Sequence, residues 1–278
     1  MSQQPTRVAA IQKVSGADAQ ANLRSAAGLI SRAVADRAMF LVLPENFALV
    51  GQHERDKLRI AEPYGRGPIQ SFLSEQAREY RTWLMGGTIP LKAQAANKVR
   101  AACLLFNPQG ECVARYDKIH LFDVSVGSGA QDMDIYNESG TIEGGIDVTV
   151  ASTPFGNIGM SICYDMRFPE LYRSMHKNNV NIITIPSAFT ATTGKAHWET
   201  LLRARAIENF CYVIAYNQGG RHINKRETWG HSMVVSPWGE IIATVAHGEG
   251  IACADIDLGK LQELRTRFPS LAHRKITQ

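Results

Sequence analysis

The sequence predicts an α/β fold of four layers, an α-β-β-α sandwich in which two mixed sheets pack face to face and helices cover the outer faces. Two observations support this fold class. Short apolar runs, typical of strands buried on both faces, alternate with segments of helical periodicity. The order of elements in the first half of the chain recurs in the second half, which indicates an internal pseudo-repeat. We expect residues 1–278 to form a single domain.

In the first half, apolar runs predict strands, and apolar residues spaced three or four positions apart predict helices. Asp18 is of a residue type preferred at the N-cap of a helix. The sequence Asn107-Pro108-Gln109-Gly110 is typical of a hairpin turn. The predicted strands are 7–12, 39–43, 82–89, 100–106 and 111–116, and the predicted helices are 18–36 and 69–81.

Two short motifs of the first half recur in the second. Leu-Val-Leu-Pro-Glu-Asn-Phe at 41–47 corresponds to Ile-Thr-Ile-Pro-Ser-Ala-Phe at 183–189, and Phe-Asn-Pro-Gln-Gly-Glu at 106–111 corresponds to Val-Ser-Pro-Trp-Gly-Glu at 235–240. The first pair is 142 residues apart and the second 129, so the Gly-, Ser- and Asp-rich loop at 123–145 is an insertion in the first half. Loops of this length are usually functional or disordered. The predicted elements of the second half are strands 158–162, 181–185 and 211–216, helices 169–177 and 196–209, and a hairpin through 236–239.

Composition and charge exclude several classes of function. The 30 basic and 26 acidic residues are interspersed and give a net charge of +4, with one short basic cluster at 273–275, so we expect no nucleic-acid partner. No apolar run approaches the length of a membrane span, which predicts no membrane partner. His53-Glu54 lacks a second zinc-binding histidine, and no phosphate-binding or dinucleotide-binding glycine motif occurs. We therefore expect no metal and no cofactor.

The cysteines and the N-terminus indicate the compartment. Five cysteines, an odd and scattered set in a chain of this length, are typical of a reducing environment. The first seven residues lack the apolar core of a signal peptide. Both observations predict a cytoplasmic protein.

Cys163 is the candidate nucleophile. It follows the apolar run 158–162 and precedes Pro169, whose fixed φ suits the first turn of a helix, so it lies at a strand-to-helix turn. Backbone N–H groups at such a turn favour negative charge, which predicts a lowered thiol pKa and a stronger nucleophile. The alternative is that Cys163 is a small buried core residue, as we expect the other four cysteines to be.

Three further residues are expected at the same rim. In open α/β sheets, ligands bind beyond the carboxyl ends of the strands. Glu45 and Ser187 each follow such an end, as Cys163 does, and Lys118 follows the first hairpin. A cysteine nucleophile, a glutamate that accepts its proton and a lysine that stabilises an oxyanion suit acyl transfer from an amide or a nitrile. The alternatives are that Glu45 caps a loop and that Lys118 is a surface residue.

Three segments resemble the nitrilase superfamily of carbon–nitrogen hydrolases. They are Leu-Pro-Glu-Asn-Phe at 43–47, Tyr-Asp-Lys-Ile-His-Leu-Phe at 116–122 and Ile-Cys-Tyr-Asp-Met-Arg-Phe-Pro-Glu-Leu at 162–171, in the order typical of the superfamily. The resemblance extends over roughly residues 6–275. It implies the α-β-β-α sandwich and a catalytic triad, and it implies one more glutamate that orients the lysine and the thiol. The residues at the matching positions are Glu45, Lys118, Cys163 and Glu138.

The surroundings of the triad give candidates for substrate binding. The backbone N–H of Tyr164 is expected to help Lys118 hold the oxyanion. Arg167, four residues after the nucleophile, either pairs with a substrate carboxylate or forms an ion pair with Asp165 or Glu170. The strand end opposite Glu45 in the repeat adds three candidate pocket residues, which are Ser187, Phe189 and Thr190.

Two other segments narrow the resemblance. Residues 196–209 are similar to amidases that act on small ω-amides of keto acids, and residues 220–232 look more like the deaminated glutathione amidases. Cys163 is followed by Tyr-Asp, whereas nitrile-hydrolysing members usually carry Cys-Trp-Glu, so an amide is expected as the substrate. The resemblance implies hydrolysis of a small carboxylate-bearing amide through a thioester, as in a deaminated glutathione amidase. An ω-amidase acting on α-ketoglutaramate, or another amidase or carbamoylase of the family, is the alternative.

The resemblance also implies an oligomer. Family members commonly form dimers, and larger homo-oligomers remain open. The helix that begins at Pro169 and the helix that precedes Cys211 are the expected dimer surface.

Two rival interpretations come from other classes of protein. Gly159-Met160-Ser161-Ile162-Cys163 begins like the turn that carries a serine nucleophile, but Cys163 replaces the final glycine and Ser161 falls within the predicted strand. A non-catalytic binding module of the same fold is the second rival, although such a module need not keep glutamate, lysine and cysteine together.

Overall fold

Two mixed β-sheets form the centre of the computed structural model, which describes residues 4–127 and 133–276. The first sheet comes mainly from the first half of the chain, and its last strand comes from near the C-terminus. Its strands are β1 (Thr6–Gln12), β2 (Phe40–Val42), β3 (Trp83–Met85), β4 (Ile89–Lys92), β5 (Val99–Phe106), β6 (Cys112–Asp117) and β15 (Gly250–Ile256). They follow the order β15-β1-β2-β3-β5-β4, with β6 also paired to β5, and β1, β2 and β3 run parallel.

The second sheet is built from the second half of the chain. Its strands are β9 (Val150–Thr153), β10 (Gly156–Met160), β11 (Ile182–Ser187), β12 (Tyr212–Asn217), β13 (Ser232–Val235) and β14 (Ile241–Val245). They follow the order β14-β13-β12-β11-β10-β9, and β10, β11 and β12 run parallel. The parallel triplet of each sheet therefore comes from the equivalent part of each repeat.

Burial along β1 shows how the layers are stacked. Val8 and Ala10 belong to the apolar core shared by the two sheets, whereas Ala9 and Ile11 pack in a second core with helices of the first half. Successive side chains of a strand point to opposite faces, so one face of this sheet meets the other sheet and the other face meets helices. The helices are α1 (Ala19–Ala35), α2 (Pro68–Tyr80), α3 (Pro169–Met175), α4 (Ala191–Asn209) and α5 (Leu258–Arg267). The predicted α-β-β-α sandwich is confirmed.

The largest differences from the predicted elements have local causes. The predicted strand 82–89 is divided into β3 and β4, because Gly87 adopts φ +52° between them. A side chain at Gly87 would lie 2.0 Å from the carbonyl oxygen of Pro44, so this turn requires glycine. Helix α4 begins at Ala191 and not at 196, because the Thr190 hydroxyl caps it by accepting a hydrogen bond from the N–H of Thr193.

The insertion at 123–145 contains regular structure that its composition did not predict. Strands β7 (Asp123–Val126) and β8 (Asp134–Asn137) form an antiparallel pair, and a 3-10 turn, Glu138–Gly140, follows directly. Residues 128–132 of the insertion lie outside the described residues. Strands β9 and β15 and helix α5 were also missed. None of the helices in the described ranges combines the length and the apolar character that crossing a bilayer requires.

Candidate active site

Cys163 lies on a strained turn between β10 and α3. The strand ends at Met160, and Cys163 begins a short 3-10 helix, Cys163–Arg167, that leads to Pro169 at the start of α3. Its φ is +47°, a left-handed conformation that costs a residue with a side chain about 1–2 kcal/mol. Strain of this kind is frequent at functional sites, where the surrounding structure maintains it.

Lys118 lies between two glutamates. Its Nζ donates to Oε1 of Glu45 and to Oε1 of Glu138, each at 2.9 Å. The side chains of Lys118 and Glu45 are 2% and 5% exposed, so these ion pairs are shielded from water. Burial lowers the pKa of Lys118, but the negative charges of Glu138 and Glu45 outweigh it and raise the pKa well above its ordinary value. The two carboxylates therefore favour the ammonium form of Lys118 at this site.

The Cys163 thiol faces Glu45 and the backbone N–H of Ala188. Burial, followed by the charge of Glu45, raises the pKa of Cys163 well above its ordinary value, against the opposing effects of Lys118 and the Ala188 N–H. The lowered pKa expected from the turn alone is wrong, because that expectation ignored burial and the neighbouring carboxylate. The thiol therefore keeps its proton beside a carboxylate that can accept it.

Glu138 is held in place by the inserted hairpin. It follows directly after β8, and its Oε2 accepts a hydrogen bond of 2.6 Å from the backbone N–H of Phe122, just before β7. Its other oxygen contacts Lys118. Glu138 thus joins the two ends of the insertion and is also the second carboxylate that contacts Lys118.

A cavity opens at this cluster, and its walls come from both halves of the chain. Of the residues predicted from the sequence, seven line it: Glu45, Lys118, Glu138, Cys163, Tyr164, Phe189 and Thr190. Ser187 and Arg167 lie outside the described walls. Ser187 is completely buried, and its hydroxyl donates to the carbonyl oxygen of Ile185 within β11.

Arg167 lies behind two of the wall residues. Its guanidinium is 5.7 Å from the ring centre of Tyr164 and 5.3 Å from that of Phe189, and Nη1 is 3.3 Å from Nδ1 of His197. In the described ranges it forms no ion pair with Asp165 or Glu170, so the ion-pair alternative is wrong. Arg167 supports the wall through its contacts with these rings.

Asp165 is a buried residue whose contacts the sequence analysis missed. It is 0% exposed, and Oδ2 accepts from the hydroxyl of Tyr116 at 2.8 Å and from the N–H of Ile162 at 2.9 Å. Oδ1 accepts from the N–H of His120 at 3.0 Å and lies 2.7 Å from its Nδ1. Tyr116 and His120 flank Lys118, so one carboxylate joins the lysine segment to the cysteine turn.

The outer wall of the cavity was also missed. It comes from the 3-10 helix Glu54–Ile60, the inserted hairpin and the loop after β12. Four of its side chains are joined by ion pairs and a cation–π contact, and they are Glu54, Lys57, Tyr136 and Arg226. Residues 220–232 resemble the deaminated glutathione amidases, but nothing in their sequence identified Arg226 as a residue of the cavity wall.

Comparison with known proteins agrees with the fold and the site. A sequence model described as carbon-nitrogen hydrolase matches residues 7–266. A protein of Synechocystis sp. named deaminated glutathione amidase is 42% identical over 97% of this chain and 98% of its own length.

Solved structures are similar over the same range. Saccharomyces cerevisiae Nit3, described as a member of branch 10 of the nitrilase superfamily, is 32% identical with a TM-score of 0.87 over 99% of this chain and 98% of its own. The C. elegans NitFhit protein is 36% identical with a TM-score of 0.89 over 99% of this chain, which spans 66% of that longer chain. The family predicted from the three sequence motifs is confirmed. The chain belongs to the carbon–nitrogen hydrolase family, within the nitrilase superfamily.

Proposed function

We propose that the protein is a deaminated glutathione amidase. Deaminated glutathione is glutathione whose glutamyl amino group has become a keto group, and hydrolysis of its γ-amide releases α-ketoglutarate and the dipeptide Cys-Gly. The relative that is 42% identical over nearly the full length of both chains carries this name. The contact of a protonated thiol with Glu45, beside the Lys118 ammonium, is the observation that carries the proposal of amide hydrolysis.

The first half-reaction forms a thioester. Glu45 accepts the thiol proton as Cys163 attacks the amide carbonyl, and the carbonyl oxygen gains a negative charge. Lys118 and the backbone N–H of Tyr164 stabilise that oxyanion, because fixed donors in a shielded site lower the energy of developing charge. Glu45 then gives its proton to the amine of the leaving group, which departs as the thioester forms.

The second half-reaction regenerates the enzyme. A water molecule enters where the amine left, Glu45 removes its proton, and the resulting hydroxide attacks the thioester carbonyl. Lys118 stabilises the second oxyanion as it did the first. The Cys163 thiolate leaves, recovers a proton from Glu45, and the acid product is released.

Three expectations about the surroundings of this site remain proposals. Arg167 binds a carboxylate on the acyl part of the substrate, a role that its guanidinium suits and that requires the ring of Tyr164 or Phe189 in front of it to move aside when substrate binds. Glu138 orients Lys118. Phe189 and Thr190 form the pocket wall, whereas the buried hydroxyl of Ser187 gives no support to a direct contact with substrate.

We also propose a homodimer built from single-domain subunits in the cytoplasm. Ile207 lies on α4, a helix expected at the dimer surface, and is 46% exposed, so it is a suitable position at which to test that surface. All five cysteines are free, as in a reducing compartment. Analytical ultracentrifugation of the wild type and of Ile207→Glu tests the dimer, and a variant that sediments as the wild type does would exclude α4 as its surface.

A panel of substrates tests the activity. Release of amine or ammonia is measured with deaminated glutathione, α-ketoglutaramate, an N-carbamoyl amino acid and a simple nitrile. We expect the highest kcat/KM for deaminated glutathione. A higher kcat/KM for α-ketoglutaramate would assign the protein to the ω-amidases, and turnover of the nitrile alone would contradict amide hydrolysis.

A further inference from the structure

Three aromatic side chains of the cavity lead away from the nucleophile. The ring of Tyr164, next to Cys163, is 5.1 Å from that of Phe122, and the ring of Phe122 is 5.0 Å from that of Tyr136. The guanidinium of Arg226 lies 4.8 Å from the ring centre of Tyr136. All four side chains line the same cavity. The row therefore connects the reacting sulfur to a cation at the outer wall.

Around Arg226 the protein already holds a carboxylate. Oε1 of Glu54 lies 2.6 Å from Nη1 of Arg226, and Oε2 of Glu54 accepts from Nζ of Lys57 at 2.9 Å. Burial raises the pKa of Glu54, but the charges of Lys57 and Arg226 outweigh it, so the pKa is lowered and Glu54 stays ionised. Two cations thus converge on a carboxylate at this position.

This arrangement leaves capacity for a second carboxylate. A guanidinium has five N–H donors in a planar fork, and the ion pair with Glu54 involves Nη1 of Arg226. Lys57 and Arg226 carry two positive charges against the single negative charge of Glu54. Glu227 also reaches this wall. Its side chain and that of Arg226, which is 40% exposed, both meet water, so water screens the attraction between their charges.

The side of the cavity on which Arg226 lies decides which part of the substrate it meets. In the proposed mechanism Glu45 protonates the leaving amine, so the leaving group must lie on the Glu45 side of the reacting carbon. The segment that carries Glu45 continues to Glu54 and Lys57, the partners of Arg226. In this proposal the acyl group, which stays on Cys163, lies beside Phe189. The loop of Arg226 also borders that wall, because the N–H of Trp229 donates to the carbonyl oxygen of Phe189 at 2.9 Å, so the leaving group is assigned to Arg226 by the position of Glu45 and not by separation from Phe189.

We infer that Arg226, supported by Lys57, binds the terminal carboxylate of the leaving group and so selects amides of a carboxylate-ended dipeptide over primary amides. This inference rests on the proposed function. An extended dipeptide spans about 7 Å. The successive ring-centre distances from Tyr164 to Phe122 and from Phe122 to Tyr136 are 5.1 and 5.0 Å, so the dipeptide covers part of the row and the Arg226 side chain must extend towards it to meet the carboxylate. The apolar part of the dipeptide lies along the aromatic row, and its carboxylate reaches the guanidinium.

The test pairs a change in the enzyme with a change in the substrate. We measure kcat/KM for deaminated glutathione and for the same compound with its terminal carboxylate converted to a carboxamide, using the wild type, Arg226→Gln and Arg221→Gln. Arg221 belongs to the same loop and is exposed but does not line the cavity, so Arg221→Gln controls for the lost charge.

We expect Arg226→Gln to lower kcat/KM for the acid substrate about tenfold or more, chiefly through KM, because a hydrogen bond to a charged group is lost. With the carboxamide substrate, the kcat/KM of Arg226→Gln should fall much less. The wild type should have a higher kcat/KM for the acid than for the carboxamide, by a factor similar to the loss in the variant. Arg221→Gln should match the wild type on both substrates.

Two results would overturn the inference, and they differ in what else they affect. If Arg226→Gln lowers kcat/KM equally for both substrates, or lowers it for neither, while the wild type is active, the carboxylate does not meet Arg226. The proposed function then stands. If wild type hydrolyses neither compound, the proposed function fails and this inference fails with it.

Discussion

The two halves of the molecule have equivalent strands but different chemistry at the strand ends. Val8 of β1 pairs with Phe40 of β2, and Ile158 of β10 pairs with Ile182 of β11, so these strand pairs occupy equivalent places in the repeat. Counting five residues on from Val8 and from Ile158 reaches Lys13 in the first half and Cys163 in the second. The position of the proposed nucleophile is therefore that of a buried lysine in the other half.

At the end of the next strand of the repeat, the functional residue lies in the first half and its structural counterpart lies in the second half. Glu45 follows β2 and contacts Lys118 and the thiol, whereas its counterpart Ser187, at the end of β11, is buried and bonded to the backbone. Each half thus contributes one of the two groups between which a proton must move. A duplicated scaffold brings two equivalent rims together, and at these equivalent strand ends each half contributes one specialised residue, to which the first half adds Lys118 and Glu138.

Among the equivalent pairs, replacing Cys163 and replacing Lys13 should give the largest difference in turnover. Cys163→Ala removes the attacking atom, so we expect turnover of deaminated glutathione to fall by at least about 10³-fold. The thermal midpoint should change little, because the side chain is small. Steady-state kinetics and a thermal melt measure both, and residual turnover above a few per cent would show that Cys163 is not the nucleophile.

Replacing Glu45 and replacing its counterpart Ser187 should give the next largest difference in kcat. Glu45→Gln keeps the shape of the side chain but cannot accept the thiol proton, so we expect kcat to fall roughly 10²–10⁴-fold. The matched variant Ser187→Ala should keep kcat within about twofold and lose about 1 kcal/mol of stability through its hydrogen bond. Comparable losses of kcat in the two variants would mean that Glu45 has a structural role.

The order of elements and the triad positions could be predicted because they depend on local signals. Apolar runs and turn residues located the parallel strands, and motifs at the strand ends located Glu45, Lys118 and Cys163. Strand β9 was missed although it forms a hairpin with the adjacent β10, because its four residues are too few to show a clear apolar pattern. Strand β15 was missed because it depends on a pairing partner that is distant in the chain. For example, Val8 of β1 pairs with Ala254 of β15 across most of the sequence.

The thiol pKa and the outer wall could not be predicted, and for a related reason. The pKa of Cys163 depends on burial and on a carboxylate more than a hundred residues away, which no window around the cysteine contains. Arg226 meets Glu54 and Tyr136 only when a loop, a 3-10 helix and the inserted hairpin, which are distant in the chain, fold against each other. Contacts between segments that are distant in the chain leave no periodic pattern in the sequence of any one segment.

The turns that follow β1 and β10 provide the third contrast. Asp165 corresponds to Ser15, which is also buried and accepts a hydrogen bond of 2.9 Å from Nε2 of Gln218. Asp165→Asn places an amide group against donors, so we expect a loss of about 2–3 kcal/mol of stability and a fall in kcat of about tenfold or more, because Lys118 and Cys163 shift relative to each other. Ser15→Ala should cost about 1 kcal/mol with a smaller fall in kcat.

Urea denaturation and steady-state kinetics separate stability from positioning in this pair. If the folded fraction of Asp165→Asn has the wild-type kcat, Asp165 stabilises the turn without positioning the reacting groups. A loss of kcat in Ser15→Ala as large as that in Asp165→Asn would remove the contrast between the two turns.

The smallest effect is expected at Lys13, the counterpart of the nucleophile. Its Nζ is 3.6 Å from Glu249, and its side chain is 1% exposed. Burial lowers the pKa of Lys13, against the opposing charge of Glu249. Glu249 also accepts a hydrogen bond from Ser25, so Lys13→Met removes a buried charge without leaving that carboxylate unpartnered. We expect Lys13→Met to match or exceed wild-type stability at pH 7 by up to about 1 kcal/mol, with kcat unchanged.

The pH dependence of that difference follows from the direction of the pKa shift. Between the lowered pKa of folded Lys13 and the ordinary lysine value of about 10.4, the unfolded chain binds more protons than the folded protein. Wild-type stability from this group therefore rises with pH in that range, and the advantage of Lys13→Met should shrink as pH rises. Melting curves of both proteins from pH 7 to pH 10 measure it. A deficit for the variant at pH 7 that exceeds about 1 kcal/mol would mean that the buried ion pair stabilises the first half, and the two equivalent positions would then differ in chemistry but not in structural importance.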